Sequence, residues 1–178
     1  MEGIYDLSYY EKMLREYSET AKKICEIRWD FLSKIKGLKR VLDYGSGVGW
    51  FRAFRPEGIE VDTYDIAKYP QTGIIHGDYD LVCMWDVIEH LSNFEKLERL
   101  LFNTEHVALT IPIKPDNVKL RNWKHFKPGE HLKYFSRETL HELFHSYKFV
   151  LINCGNPECP PREDILSALY RKNTNPGG

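Results

Sequence analysis

The chain has 178 residues, 42% hydrophobic and 29% charged, with a formal net charge of −1, the make-up of one globular domain large enough for a core of its own. So balanced a charge is not that of a whole-domain nucleic-acid binder, and no apolar run approaches a transmembrane span. Cys25, Cys83, Cys154 and Cys159 are scattered without a zinc-type pairing or a disulfide framework, which points to a reduced, cytoplasmic compartment.

Residues 9–35 read as helix in one or two pieces. Leu14, Tyr17, Ala21, Ile24, Arg28, Phe31 and Ile35 recur at spacings of three and four, with Cys25 and Leu32 widening the stripe. Gly37 ends the helix. Val41-Leu42 then opens a buried strand that runs into Asp43-Tyr44-Gly45-Ser46-Gly47-Val48-Gly49, and Trp50-Phe51 begins a short helix. Three alternating glycines between strand and helix allow positive φ and close approach of a ligand to the backbone, as in a nucleotide-type site. A dinucleotide fingerprint needs a third small residue where helix and strand touch. Counting from Gly45, that position is Trp50, and the carboxylate of Asp43 would face a pyrophosphate; it suits a cation instead.

Residues 58–64 read as the second strand, ending at Asp65, where an acid can accept hydrogen bonds from ribose hydroxyls. Residues 67–78 leave room for one helical turn and a strand at 73–76. Residues 79–85 are apolar along their run, as a parallel strand buried on both faces should be. Asp86-Val87-Ile88-Glu89-His90-Leu91 follows, then a helix at 94–102 that Ser92 or Asn93 can cap. Residues 106–112 form a strand that Pro112 ends.

The long connection 113–130 carries Lys114, Lys119, Arg121, Lys124 and Lys127, with Lys133 just beyond, against Asp116 and Glu130; Trp123 and Phe126 lie among them. It reads either as a solvated loop pinned by its aromatics or as a substrate loop for an anionic acceptor. Ser136 and Thr139 flank a further helix. Strands at 147–153 and 164–171, joined through Pro157, Pro160 and Pro161, pair antiparallel at the sheet edge. Residues 173–178 read as a frayed tail.

The pattern Asp43-x-Gly45-x-Gly47-x-Gly49 resembles the first motif of class I S-adenosylmethionine methyltransferases, and the stretch from Tyr79 to Leu91 resembles the fourth motif of small-molecule members, including ubiquinone-pathway O-methyltransferases. The resemblance covers roughly residues 41–171. It implies an α/β fold: a Rossmann-like, seven-stranded, mostly parallel sheet with helices on both faces and an antiparallel edge strand. The single domain would comprise a helical segment (1–37), a core (38–172) and a flexible tail (173–178). It further implies S-adenosylmethionine as cofactor, held by Asp43, Tyr44, Gly45, Ser46, Gly47 and Gly49, with Asp65 on the ribose, Ile66 on the adenine face, Asp78 at the adenine amino group and Trp85 at the end of the fourth strand. The first helical turns, with Tyr5, Tyr9 and Tyr10, would form a lid.

Methyl transfer requires donor and acceptor in line and a base if the acceptor is a hydroxyl. His90, His131 and Asp86 are the candidates. Asp86, Glu89 and His90 also resemble the Glu-x-x-Glu-His of metal-dependent members, with a shorter first carboxylate; no metal is assigned. The expected function is methylation of a small-molecule acceptor, an anionic metabolite methylated at oxygen. The alternatives are an RNA or protein methyltransferase and a non-catalytic cofactor-binding partner protein. Neither a membrane nor nucleic acid is expected as a partner, and the oligomeric state stays open.

Overall fold

The computed structural model of the protein describes residues 7–66 and 77–174. Among the described residues six strands form one sheet: β1 (Arg40–Tyr44), β2 (Glu60–Tyr64), β3 (Tyr79–Trp85), β4 (Thr104–Pro112), β5 (Phe149–Gly155) and β6 (Ile165–Lys172). The order across the sheet is β2-β1-β3-β4-β6-β5. The first four run parallel, and β6 is antiparallel to both its neighbours.

One expectation changes. Seven strands were expected and six are present among the described residues; the strand expected at 73–76 lies outside them, as do Tyr5 of the expected lid and residues 175–178 of the tail. The two carboxyl-terminal strands pair antiparallel at the sheet edge, as expected, with β6 between β4 and β5 and β5 taking the edge. Burial explains the arrangement. The first six residues of β6 are all buried, whereas β5 exposes Leu151 and Ile152, and a strand apolar on both faces belongs inside a sheet.

The helices are α1 (Leu7–Glu16), α2 (Ser18–Leu32), α3 (Trp50–Ala53), α4 (Glu95–Phe102) and α5 (Arg137–Ser146). One face of the sheet is covered by α2 and α3, through Cys25, Trp29, Leu32 and Phe51 on Val41, Leu81, Cys83 and Ala108. The other is covered by α4 and α5, through Leu97, Leu101, Leu140 and Phe144 on Leu42, Val82, Met84 and Leu109. Neighbouring residues of β1 and β3 thus serve opposite cores, the period-2 geometry of a strand.

The long amino-terminal helix breaks at Tyr17, and Tyr9 and Tyr10 fall on α1. Leu14 and Tyr17, placed in the stripe from their spacing, are exposed; the buried residues of α2 are Ala21, Cys25, Trp29, Phe31 and Leu32. Trp29 stacks on Phe51 with ring centroids 4.1 Å apart and so fixes α2 against α3. Neither Ser92 nor Asn93 caps α4, whose N-cap is Phe94 without a side-chain bond. Ser136 and Thr139 form a capping box on α5.

The parallel strands end together. Tyr44 is in register with Tyr64, Asp43 with Cys83 and Trp85 with Thr110. The chain leaves β1 for β2 on one side and returns to β3 on the other. The crevice between the carboxyl ends of β1 and β3 is therefore a topological switch point, where open α/β sheets bind ligands.

Candidate functional site at the switch point

The glycine turn stands at the end of β1. Gly45, Gly47 and Gly49 have φ of 83°, 52° and 87°, the left-handed region that side chains disfavour. A Cβ on Gly45 would lie 2.4 Å from Val87 Cγ2, so this glycine lets the turn approach the segment leaving β3. A Cβ on Gly47 would meet nothing within 4 Å; that face is open for a ligand. The turn is tied to β2 by Gly45 and Ser46, whose N–H groups donate to Tyr64 O at 2.7 and 3.0 Å.

Asp65 closes the arrangement. The Gly47 N–H donates to Asp65 Oδ2 at 2.7 Å, so the acid after β2 is held against the open glycine. Ile66 beside it is 55% exposed, an apolar surface at the mouth of the crevice. Asp43 is buried in the same strand end. The Tyr44 side chain packs into the core on Tyr64, 5.0 Å between ring centroids; what it offers a ligand is main chain.

Asp78 is a correction. It immediately precedes β3, and its carbonyl accepts from Arg40 Nη1 at 3.1 Å, while the N–H groups of Lys39 and Arg40 donate to Asp80 Oδ2. These contacts put Asp78 at the amino ends of β1 and β3, one strand length from the glycine turn, where it cannot reach an adenine laid beside Asp65.

At the end of β3, Trp85 is buried with its indole N–H lacking a partner. Asp86 has a φ of 55°, a left-handed conformation that is uncommon outside glycine and marks strained functional positions. Its side chain is 53% exposed and lies 3.9 Å from the Arg28 guanidinium. Desolvation lifts its carboxyl to about 6, against the pull of Arg28.

Arg28 reaches this point from α2. Its guanidinium lies 4.6 Å above the Trp85 ring, makes two bonds to Glu158 at 3.0 and 2.9 Å, and approaches Asp86 Oδ2 at 3.9 Å. Glu158 also accepts from the Thr110 hydroxyl at 2.6 Å, and Thr110 bonds Ser167 across the β4–β6 pair. The sequence reading placed Arg28 in the stripe but assigned no role to Glu158 or Thr110. An arginine in an apolar register was the available signal, since a buried guanidinium requires a buried acceptor.

His90 and His131 are brought together, with ring centroids 4.8 Å apart. Burial lowers the His131 pKa, helped by the neighbouring His90. Glu89 is 2% exposed, and neither carboxylate oxygen has a hydrogen-bond partner. Desolvation, with the charge of Asp86, raises its pKa to about 8. Sequence reasoning placed it only in the Asp86, Glu89 and His90 set that resembles the motif of metal-dependent members.

The 113–130 connection is pinned by Trp123, which is 6% exposed; Phe126 packs 5.5 Å from the Tyr134 ring. Most of its cations are engaged. Lys124 meets Asp164 at 2.8 Å, Lys127 meets Glu130 at 3.0 Å, and Lys114 donates to the carbonyls of Pro115 and Val118. Lys133 lies over Phe94. Lys119 and Arg121 are exposed and, among the described residues, have no side-chain hydrogen bond or ion pair.

No helix of the described residues is long and apolar enough to cross a membrane. A comparison with curated proteins finds no match. Solved structures share the fold. The 1,6-didemethyltoxoflavin-N1-methyltransferase of Burkholderia thailandensis, solved with 1,6-didemethyltoxoflavin and S-adenosylhomocysteine, superposes with a TM-score of 0.64 at 17% identity over 93% of this chain and 84% of that one. The magnesium protoporphyrin IX methyltransferase of Synechocystis PCC 6803, with bound S-adenosylhomocysteine, gives 0.61 at 15% identity over 86% and 84%. The 16S rRNA methylase ArmA gives 0.54 at 17% identity over 92% and 91%. A family model described as a methyltransferase domain matches residues 14–153. That match takes in the glycine turn, the switch point and the connection beyond β4, and the chain belongs to the methyltransferase-domain family.

Proposed function

We propose that the protein transfers a methyl group from S-adenosylmethionine to an oxygen of a small, anionic acceptor. The observation that carries the cofactor reading is the Gly47–Asp65 pair. An open glycine with its N–H on a carboxylate leaves that acid positioned to accept from vicinal ribose hydroxyls, and exposed Ile66 adjoins it. Asp43 and Asp65 so close to the turn disfavour a pyrophosphate, whereas a sulfonium and an ammonium suit acidic surroundings. When bound, the cofactor supplies a methyl group already activated as an electrophile.

The chain's own contribution is placement and one proton. Asp86 opens on the crevice at the end of β3, and its carboxyl near 6 leaves it ionised at neutral pH yet more basic than an ordinary aspartate. It is the group suited to take the acceptor proton. His90 and His131 are more deeply buried and hold the segment behind the crevice together. Lys119 and Arg121 supply the attraction for an anion.

Calorimetry of the full chain with S-adenosylhomocysteine and with NAD tests the cofactor. Micromolar binding of the first and none of the second is the expected result; the reverse overturns the reading. Extracts incubated with methyl-labelled S-adenosylmethionine test the acceptor class. Label recovered in RNA or protein would replace the small-molecule reading, and cofactor binding with no transfer to any fraction would leave a binding protein.

A further inference from the structure

We propose that Glu158, on the connection between β5 and β6, is a positioning residue for Asp86: by keeping the Arg28 guanidinium to itself, it holds the exposed Asp86 carboxylate out of a tight ion pair. The bearing of this on turnover rests on Asp86 as the base; the restraint on Arg28 does not.

The observation is a closed ring of contacts among α2, the end of β3, β4 and the β5–β6 connection. The Asp86 N–H donates to Thr110 O at 2.9 Å. The Thr110 hydroxyl donates to Glu158 Oε1 at 2.6 Å. Glu158 accepts from Arg28 Nε and Nη2 at 3.0 and 2.9 Å, and the same Nη2 stops 3.9 Å from Asp86 Oδ2. The ring leaves Asp86 by its main chain and returns to its side chain. Its left-handed backbone, at φ 55°, is thus tied to β4, while its carboxylate stays short of a bond to the cation beside it.

The protons of the ring have assigned places. A carboxylate accepts and cannot donate, so the single Thr110 hydroxyl proton is spent on Glu158. The Ser167 hydroxyl, 3.1 Å away across the β4–β6 pair, is then the donor to Thr110 Oγ1. Thr110 and Ser167 are 2% and 1% exposed, and a buried, fully satisfied network of this kind is rigid. Glu158 is braced from its own loop as well. Asn156 Oδ1 accepts from the Cys159 N–H at 3.1 Å, and Asn156 Nδ2 donates to the carbonyls of Cys159 and Arg162.

Without Glu158, Arg28 has one direction to turn. A guanidinium with its side chain 15% exposed requires an acceptor, and Asp86 needs to come nearer by only about an ångström to bond it. Closed on Arg28, the Asp86 carboxylate would be a weaker base and would spend a lone pair on the guanidinium. The other charged or titratable groups that act on Asp86 are Arg162 from the β5–β6 connection, Lys127 from the 113–130 connection and Glu89 on its own turn; the variants below leave these in place.

The test follows the Asp86 carboxyl by ¹³C NMR in full chain labelled at aspartate, with Asp86→Asn identifying the signal. Glu158→Gln should lower its titration midpoint from about 6 by about one pH unit or more, the usual effect of an opposite charge at close range. It should also lower kcat by about tenfold or more, while the Kd for S-adenosylhomocysteine holds. Arg28→Met combined with Glu158→Gln removes the freed cation and should return the midpoint to the wild-type value or above. A residue that serves stability alone would not reverse its effect when a second residue is lost. If Glu158→Gln is unfolded by circular dichroism, Thr110→Val is read instead, with a smaller shift in the same direction. An unmoved midpoint in the folded single variant, or a double variant whose midpoint stays as low as the single, overturns the proposal. Absence of methyl transfer by the wild type removes Asp86 as the base, and the NMR midpoints then decide the restraint on Arg28 by themselves.

Discussion

Arg28 and Glu158 are 130 residues apart in sequence and form a two-bond ion pair with side chains only 15% and 8% exposed. The pair fastens α2 to the connection between β5 and β6 and sets one wall of the switch-point crevice beside Trp85 and Asp86.

Removing one partner should cost far more than removing both, because a buried charge left alone loses solvation without compensation. Arg28→Met is expected to destabilise the fold by about 3 kcal/mol or more, and Arg28→Met with Glu158→Gln should recover most of that loss. Urea unfolding of the two singles and the double closes the cycle. Additive losses would show that the pair is not coupled.

Cofactor affinity should track the glycine turn. Gly47→Val places branched carbons in the space open to a ligand and should abolish S-adenosylhomocysteine binding while circular dichroism stays native. Asp65→Ala removes both the Gly47 contact and the acceptor for ribose, and should weaken binding by about 1–3 kcal/mol. Calorimetry reads both. Unchanged affinity in Asp65→Ala would remove that residue from the site.

Asp86 should couple activity and stability in opposite directions. As the base, it makes kcat/KM rise as pH increases through about 6, and Asp86→Asn should lose that limb with most of the turnover. The charged groups around it are Arg28, Glu158, Arg162, Lys127 and, through its own raised carboxyl, Glu89. Its folded pKa lies above the ordinary value, so ionised Asp86 opposes folding, and the penalty grows between about pH 4 and pH 6. Asp86→Asn should therefore raise the melting temperature at pH 7 and lose the advantage below about pH 4. Asparagine also tolerates the left-handed backbone. A variant with lower Tm at pH 7, or with a full pH limb, contradicts the assignment.

Acceptor binding should respond to Lys119 and Arg121 more than to Lys124, which is engaged by Asp164. Lys119→Gln with Arg121→Gln should raise the KM for the identified acceptor and flatten its salt dependence, leaving cofactor affinity in place. An uncharged acceptor, or an unmoved KM, would leave the connection as a lid.

Local chemistry was legible in the sequence. Three alternating glycines need positive φ wherever they fold, and the apolar run of β3 must be covered on both faces, so the turn and that strand could be placed without coordinates. Asp65 followed from its position after β2. What depended on where separated segments meet was not legible. Asp78 reads as a residue after a strand, but the register of β1 and β3 sets it at their amino ends. The two carboxyl-terminal strands were found, yet their order rests on how burial differs between β5 and β6. The Arg28–Glu158 pair and the meeting of Glu89, His90 and His131 are products of layer packing. Backbone propensities act over a few residues, while the desolvation that makes these buried side chains need partners arises only when the layers close.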